Sequence, residues 1–131
     1  MLKNSDELNG MRVAGKLAAE VLEMITEYVK PGISTGELDE ICFKYITDVQ
    51  KAIPANVGYR GFKKTLCTSI NQVICHGIPD TNRILKSGDI MNIDVTVIKD
   101  GWHGDTSKMF LIGKAQSHNE RLVRVTQECL Y

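Results

Sequence analysis

Residues 92–110, NIDVTVIKDGWHGDTSKMF, decide the fold because two runs rich in β-branched residues flank an Asp-Gly pair. Asp100 and Gly101 suit the two central positions of a type I′ turn, where both residues adopt positive φ. β-Branched residues favour strands, and such a tight turn joins two antiparallel strands directly. The sequence therefore predicts a β-hairpin over residues 90–112.

The turn also determines the register of the predicted hairpin. Lys99 pairs with Trp102, and each further pair follows by counting outward along both strands. Because side chains alternate between faces, Asp94 and Asp105 share one face as diagonal neighbours. That polar face carries Asn92, Asp94, Thr96, Asp105 and Ser107, whereas the apolar face carries Met91, Ile93, Val95 and Val97.

The two aspartates indicate a metal site. Diagonal neighbours lie about 7–8 Å apart at the backbone, so both carboxylates can reach one point between them. Without a cation, the two carboxylates repel each other. An Mn, Mg or Ca ion would bind both carboxylates, and histidine ligands beside them would also suit Fe, Co or Zn. The alternative is an ordinary solvent-facing hairpin surface. His103 shares this face and lies nearer the turn. It is either a further ligand, a surface residue or a residue that a bulge displaces from this face.

Two amphipathic helices are predicted before the sheet. The first ends at Pro31-Gly32, because proline cannot continue the helical hydrogen bonds, and the second ends before Pro54. Each begins with capping-box spacing and continues with apolar residues every three or four positions. The spacings are Asn4 with Glu7, followed by Leu8, Met11, Ala14, Leu17, Val21, Ile25 and Tyr28, and Ser34 with Glu37, followed by Leu38, Ile41, Cys42, Tyr45, Ile46 and Val49.

Residues 64–70 (KTLCTSI) and 72–77 (QVICHG) predict another hairpin. His76 ends its second strand, where a side chain can reach into a cleft from a rigid element. The alternative is a strand-end histidine held by local backbone groups. Cys67 and Ser69 either line the same cleft or are ordinary small strand residues. Two helices followed by antiparallel hairpins predict an α+β fold.

The overall composition excludes several classes of protein. Hydrophobic residues make up 43% of the 131, enough for one domain with its own core, and 16 basic residues balance 16 acidic ones. This balance gives no general attraction to nucleic acid or to an anionic membrane. The sequence has no CxxC pair, no signal peptide and no apolar run of the roughly 20 residues that span a membrane. We therefore expect a soluble, cytoplasmic protein with reduced thiols.

The last residues predict a third helix. Ser117 and Glu120 have capping-box spacing, and Leu122, Val125 and Cys129 follow at helical intervals. No glycine or proline ends this pattern, which predicts a longer parent protein.

Three segments together resemble the bacterial, short-form (type I) methionine aminopeptidases of the pita-bread, creatinase-like fold. They are residues 58–79 (GYRGFKKTLCTSINQVICHGIP), residues 88–110 (GDIMNIDVTVIKDGWHGDTSKMF) and the two-helix segment. The pairing of CHGIP with IDVTV and HGDTSKMF is highly specific, and the resemblance covers essentially the whole chain. It implies metal-dependent removal of the initiator methionine from nascent proteins when the second residue is small. A hydroxide held by two metal ions would attack the first peptide bond.

The resemblance also implies roles for single residues. Asp94 and Asp105 match ligands of two divalent metal ions. Asp94 would bind one ion, and Asp105 would bridge both. The ions would be Co, Mn, Fe, Zn or Ni. His76 matches the catalytic histidine that hydrogen-bonds substrate near the scissile peptide. Tyr59, Phe62 and Cys67 match residues that line the pocket for the methionine side chain. Phe62 stands where tyrosine is common in the family, and Asn56 stands where a cysteine often lies. The main chain at Asn71 and Val73 matches a monovalent-cation site.

The resemblance is to the first of two related halves. The remaining histidine ligand, two glutamates and a second active-site histidine would lie in the other half. Residues 1–131 are therefore expected to be a single domain, the N-terminal half of a catalytic domain, inactive or nearly so alone, within an active and monomeric parent. Implied partners are the N-terminal methionine of nascent polypeptides and the ribosome. The alternatives are a non-catalytic pita-bread relative that binds nascent peptides or ribosomes, and prolidase-like or aminopeptidase P-like chemistry.

Overall fold

The computed structural model describes residues 4–130, which form three α-helices and four β-strands. A π-helical turn at Tyr45–Val49 extends α2, and a 3₁₀ turn at Tyr59–Gly61 precedes β2. None of the described helices is long and apolar enough to cross a membrane. The elements are α1 (Ser5–Ile25), α2 (Thr35–Lys44), β1 (Ile53–Pro54), β2 (Leu66–Ile70), β3 (Ile90–Lys99), β4 (Trp102–Leu111) and α3 (Ser117–Leu130).

Strand β3 is the centre of the sheet. β4 pairs along the whole of one edge of β3, so β1 and β2 share the other edge, and every pairing is antiparallel. The Lys99–Trp102 pair next to the turn confirms the predicted hairpin register. Asp100 and Gly101 have φ values of 51° and 83°, as a type I′ turn requires. Two helices and an antiparallel sheet confirm the predicted α+β class.

The core lies between α1 and the apolar face of the hairpin. At Gly104 on β4, an added Cβ would collide with the main chain of Ala14 in α1, so this glycine allows the helix to approach the sheet closely. Helix α1 covers only one face, which leaves the face that carries Asp94 open. The inward residues of β3 are Met91, Ile93, Val95 and Val97, each 0% exposed, and those of α1 are Ala14, Ala18, Val21, Leu22 and Ile25.

Both predicted helix starts are confirmed. The Asn4 side chain accepts a hydrogen bond from the Glu7 backbone N–H (2.9 Å). Ser34 and Glu37 form a complete capping box, because the Ser34 hydroxyl accepts from the Glu37 N–H (3.1 Å) and the Glu37 carboxylate accepts from the Ser34 N–H (2.9 Å).

The first helix ends earlier than predicted, at Ile25 and not at Pro31. The Thr26 hydroxyl donates to the Leu22 carbonyl (2.7 Å), and the Tyr28 N–H donates to the Ile25 carbonyl (3.0 Å). The second bond closes a tighter turn than an α-helix makes, so the helix ends before the proline is reached.

The prediction of a hairpin over residues 64–77 was wrong. β2 ends at Ile70, and residues 71–79, here called the His76 segment, form no strand. Asn71 and His76 adopt φ values of 53° and 55°, which break an extended chain at two points. The Asn71 side chain accepts from the Ile90 N–H (3.1 Å), which directs the turn toward β3. β2 therefore pairs with β3, and His76 lies in irregular chain.

The predicted third helix is present as α3, which begins at Ser117. None of its described residues is buried, and Leu122 and Leu130 are 58% and 73% exposed.

Candidate metal centre

The two predicted metal ligands are diagonal neighbours on one face of the hairpin, on rungs that the Val95–Thr106 pair separates. Asp94 lies opposite Ser107, and Asp105 lies opposite Thr96. On the other edge of β3, Cys67 of β2 lies opposite Asp94. Three adjacent strands therefore place a thiol, two carboxylates and two hydroxyls on one face of the sheet. That face is opposite the one covered by α1.

The Asp94 carboxyl is affected by burial and by the neighbouring Asp105. Asp94 is partly buried, whereas Asp105 is exposed. Burial raises the pKa of Asp94, the nearby Asp105 carboxyl raises it further by repulsion and by hydrogen bonding, and His76 lowers it. The raised pKa means that the ionised form of Asp94 is disfavoured beside Asp105. A divalent cation at this position would relieve the repulsion.

The donor chemistry of this pair fits a divalent cation, but the pair does not complete a metal centre. Carboxylate oxygens suit hard divalent ions, which take about six ligands or more. Within residues 4–130, no three His, Cys, Asp or Glu side chains form a group that could hold a metal ion. Asp94 and Asp105 thus fit as two ligands of a larger set.

His76 lies near the aspartates on the His76 segment. The imidazole is exposed, and its electrostatic effect lowers the pKa of Asp94. The next residue, Gly77, is bonded to β2 in two ways: its carbonyl accepts from the Thr68 N–H (2.7 Å) and its N–H donates to the Ser69 hydroxyl (3.2 Å). The sequence alone did not reveal these contacts, since Gly77 lies in irregular chain eight positions after Ser69 of β2.

The residues predicted to line a methionine pocket differ in exposure. Tyr59 is 65% exposed, and the Arg60 guanidinium lies 5.5 Å from the centroid of its ring. Phe62 is half-buried, and Cys67 is 7% exposed. Burial, followed by the negative charge of Asp94, raises the pKa of Cys67 to about 11. The Cys67 thiol is therefore protonated and uncharged at neutral pH, which suits contact with an apolar side chain.

The remaining predicted residues lie around this region. The Asn71 amide group donates to Asp89 (2.8 Å), so a cation at Asn71 would have to be bound by main-chain oxygens. Val73 donates its N–H to the Ile70 carbonyl (3.1 Å) in the same turn. Asn56 donates to the Thr65 carbonyl (3.0 Å), which anchors the loop before β2. His103 is exposed on β4 and shares the Asp105 face, two residues closer to the turn.

Comparison with protein-family models matches residues 9–131 to metallopeptidase family M24. The methionine aminopeptidase of Escherichia coli (strain K12) is 63% identical over 130 residues, which are 99% of this chain and 49% of that protein. The crystal structure of methionine aminopeptidase from Rickettsia prowazekii matches with a TM-score of 0.92 at 51% identity, over 98% of this chain and 52% of that one.

A more distant structure shares the fold alone. The Xaa-Pro dipeptidase from Bacillus anthracis has a TM-score of 0.74 at 15% identity, over 92% of this chain and 32% of that one. The chain spans about half the length of the curated relatives it matches. These findings confirm the predicted pita-bread fold and the predicted resemblance to methionine aminopeptidases. This chain belongs to metallopeptidase family M24.

Proposed function

We propose that residues 1–131 form the N-terminal half of the catalytic domain of a methionine aminopeptidase. The complete enzyme would remove the initiator methionine from nascent polypeptides in the cytoplasm when the second residue is small. The observation that carries this proposal is the position of Asp94 and Asp105 as diagonal neighbours on the face of the hairpin opposite α1, where Asp105 raises the pKa of Asp94. Two neighbouring carboxylates stabilise neither a surface nor a core, whereas they suit a site for divalent cations.

Each residue of the site has a defined part in this proposal. Asp94 and Asp105 would hold two divalent ions, which supply polarisation of the scissile carbonyl and activation of water when bound. His76 would donate a hydrogen bond to the substrate next to the peptide bond that breaks. Cys67 and Phe62 would contact the flexible, polarisable methionine side chain, with Tyr59 at its exposed side.

The number of available ligands supports the proposal that this chain holds only half of a metal centre. Two aspartates cannot supply the ligands that two divalent ions need, and the described residues contain no cluster of three potential metal ligands. We therefore propose that this chain alone is inactive or nearly so. The missing ligands would come from the other half of a monomeric parent about twice as long. Nascent chains as substrates would bring that parent close to the ribosome.

The test is a comparison of two proteins in one assay. The 131-residue chain and the complete parent are each incubated with the tripeptide Met-Ala-Ser and added Mn²⁺ or Co²⁺, and free methionine is measured. We expect release by the parent, loss of release with chelator, and no release by the short chain. Xaa-Pro dipeptides serve as the control substrate. Cleavage of those dipeptides in preference to Met-Ala-Ser would replace the proposal with prolidase-like chemistry. Full activity of the short chain would contradict the half-centre.

A further inference from the structure

The position of His76 depends on contacts made by its neighbours. His76 adopts a φ of 55°, in the left-handed region that residues other than glycine rarely adopt. The His76 segment forms no strand, so no ladder of backbone hydrogen bonds keeps this conformation. Surrounding contacts must therefore hold the backbone at His76 in place.

Gly77 provides the contacts that hold it. Its carbonyl accepts from the Thr68 N–H (2.7 Å), and its N–H donates to the Ser69 hydroxyl (3.2 Å). A Cβ at Gly77 would collide with the Thr68 carbonyl, so the segment lies directly against β2. Both polar backbone groups of the residue after His76 are thus bound to one strand.

Ser69 connects this contact to the aspartates. It is 4% exposed and lies opposite Asn92, on the same face of the sheet as Cys67 and Asp94. Within residues 4–130, the Ser69 hydroxyl is the side-chain partner of Gly77, whereas the other partner is the backbone N–H of Thr68. Loss of the Ser69 hydroxyl would therefore free the N–H of Gly77 and leave the strand itself unchanged.

We propose that Ser69 is a positioning residue, which holds His76 at a set distance from Asp94 through the backbone N–H of Gly77. This inference rests on the proposed function, because it assigns Ser69 to the same site. Ser69 would act through His76 and would make no contact with substrate. Its effect would therefore fall on the step in which the peptide bond breaks and not on the binding of methionine.

The chain offers a matched control on the neighbouring residue. Thr68 is 4% exposed, and within residues 4–130 its hydroxyl has no hydrogen-bond partner. Thr68→Val removes a buried hydroxyl from the same strand and keeps the Thr68 N–H that binds Gly77. Ser69→Ala removes the hydroxyl that accepts from Gly77. The two variants differ in the contact with Gly77 while making a similar change.

The first measurement is amide hydrogen exchange on the 131-residue chain. We expect the Gly77 amide to exchange at least about tenfold faster in Ser69→Ala than in Thr68→Val, because only the first loses its acceptor. Equal exchange in the two variants would overturn the contact on which the inference depends.

The second measurement is steady-state release of methionine by the complete parent. We expect Ser69→Ala to lower kcat by about tenfold to a hundredfold with KM changed by less than about twofold, and Thr68→Val to leave both unchanged. In a His76→Ala background, Ser69→Ala should have no further effect, because both changes act through one side chain.

Two results would overturn the inference while the wild-type parent is active: equal kcat in Ser69→Ala and Thr68→Val, or an additive effect of Ser69→Ala in the His76→Ala background. An inactive wild-type parent would instead overturn the proposed function, and the effect of Ser69 on catalysis through His76 with it. The exchange measurement still decides in that case whether Ser69 holds Gly77.

Discussion

The β3–β4 hairpin and the His76 segment carry the two parts of the proposed site, and they are held in opposite ways. The hairpin is positioned by its own sequence, since the Asp100-Gly101 turn and the alternation of side chains set every pair. The His76 segment has no such pattern, and it is held by single hydrogen bonds to β2. The proposed metal ligands thus lie on the locally determined element, and His76 lies on the element that depends on distant contacts.

This difference separates the contacts that determine the fold from the contacts that position a single side chain. Two carboxylates that are diagonal neighbours on one face keep their spacing as long as the strands pair, so the proposed metal ligands need no further support. A histidine in irregular chain can be placed where a strand would not reach, but its position changes when a single contact is lost. We expect substitutions in the two regions to have different consequences, and the predictions below test that expectation.

The largest effect is expected for the aspartates of the hairpin. Asp94→Asn or Asp105→Asn should lower methionine release by the complete parent about 10³-fold, or roughly 4 kcal/mol, because a ligand charge is lost. The free energy of unfolding of the short chain should not fall, because the repulsion between the two carboxyls is removed. Activity assays and urea denaturation measure the two effects. Asp48→Asn, at an exposed carboxyl outside the sheet, is the control.

If either substitution destabilises the short chain, the aspartates serve the fold. If the parent stays active after either substitution, the aspartates do not hold the metal.

The hairpin, the α+β class and the helix starts could be predicted because each depends on residues close together in sequence. The Asp100-Gly101 turn and the Ser34–Glu37 capping box are examples. The His76 segment could not be predicted, because QVICHG has the composition of a strand. Its conformation depends on Asn71 bonding to Ile90 and on Gly77 bonding to Ser69, contacts that local pattern does not encode.

In the candidate site, too, the residues that depend on local pattern could be predicted and those that depend on distant contacts could not. The register alone predicts Asp94 and Asp105 on one face, and the structure confirms that arrangement. The neighbourhood of His76 emerged only from the folded chain, since it depends on where β2 pairs. The end of α1 was also mispredicted, because the Thr26 hydroxyl bonds to Leu22 in competition with the helix.

The start of β2 offers a second test of control by distant side chains. Asp39 of α2 accepts from the N–H groups of both Thr65 (2.8 Å) and Leu66 (2.9 Å), and Lys64 lies 3.8 Å from its other oxygen. Asp39→Ala should lower the free energy of unfolding by about 3 kcal/mol, because two buried donors lose their acceptor. Urea denaturation measures the loss.

Asp39→Asn is the matched control, because the amide oxygen can still accept both bonds. Burial raises the pKa of Asp39 despite those bonds, so the ionised form is disfavoured in the fold and the neutral amide should cost only about 1 kcal/mol. Equal losses in the two variants would show that charge, and not the two hydrogen bonds, stabilises this strand.

Gly77→Ala tests the His76 segment directly. The added methyl would collide with the Thr68 carbonyl, so the segment should separate from β2 at a cost of about 2 kcal/mol. Gly15→Ala is the control, because that helical glycine has open space around it and alanine should stabilise the helix by up to about 1 kcal/mol. Thermal denaturation and exchange of the Thr68 amide report the two effects. An unchanged Thr68 amide would show that Gly77 does not hold the segment.

The smallest effect is expected at the Ser34–Glu37 capping box. Hydrogen bonds from the Ser34 N–H and hydroxyl lower the pKa of Glu37 from its usual value of 4.5. The folded pKa lies below the unfolded one, so this stabilisation is present above about pH 4.5 and is lost as the pH falls through the folded value. Glu37→Gln should flatten the dependence of the free energy of unfolding on pH in this range. An unchanged dependence would remove Glu37 as its source.

The proposed function requires that Asp94 and Asp105 bind a divalent cation on the face of the hairpin opposite α1. Titration of the ¹⁵N-labelled 131-residue chain with Mn²⁺ tests this, because the ion broadens the amide signals of nearby residues. We expect broadening centred on Asp94, Asp105 and Cys67, and its loss in Asp94→Asn and Asp105→Asn. Broadening centred elsewhere, or unchanged in both variants, would contradict it.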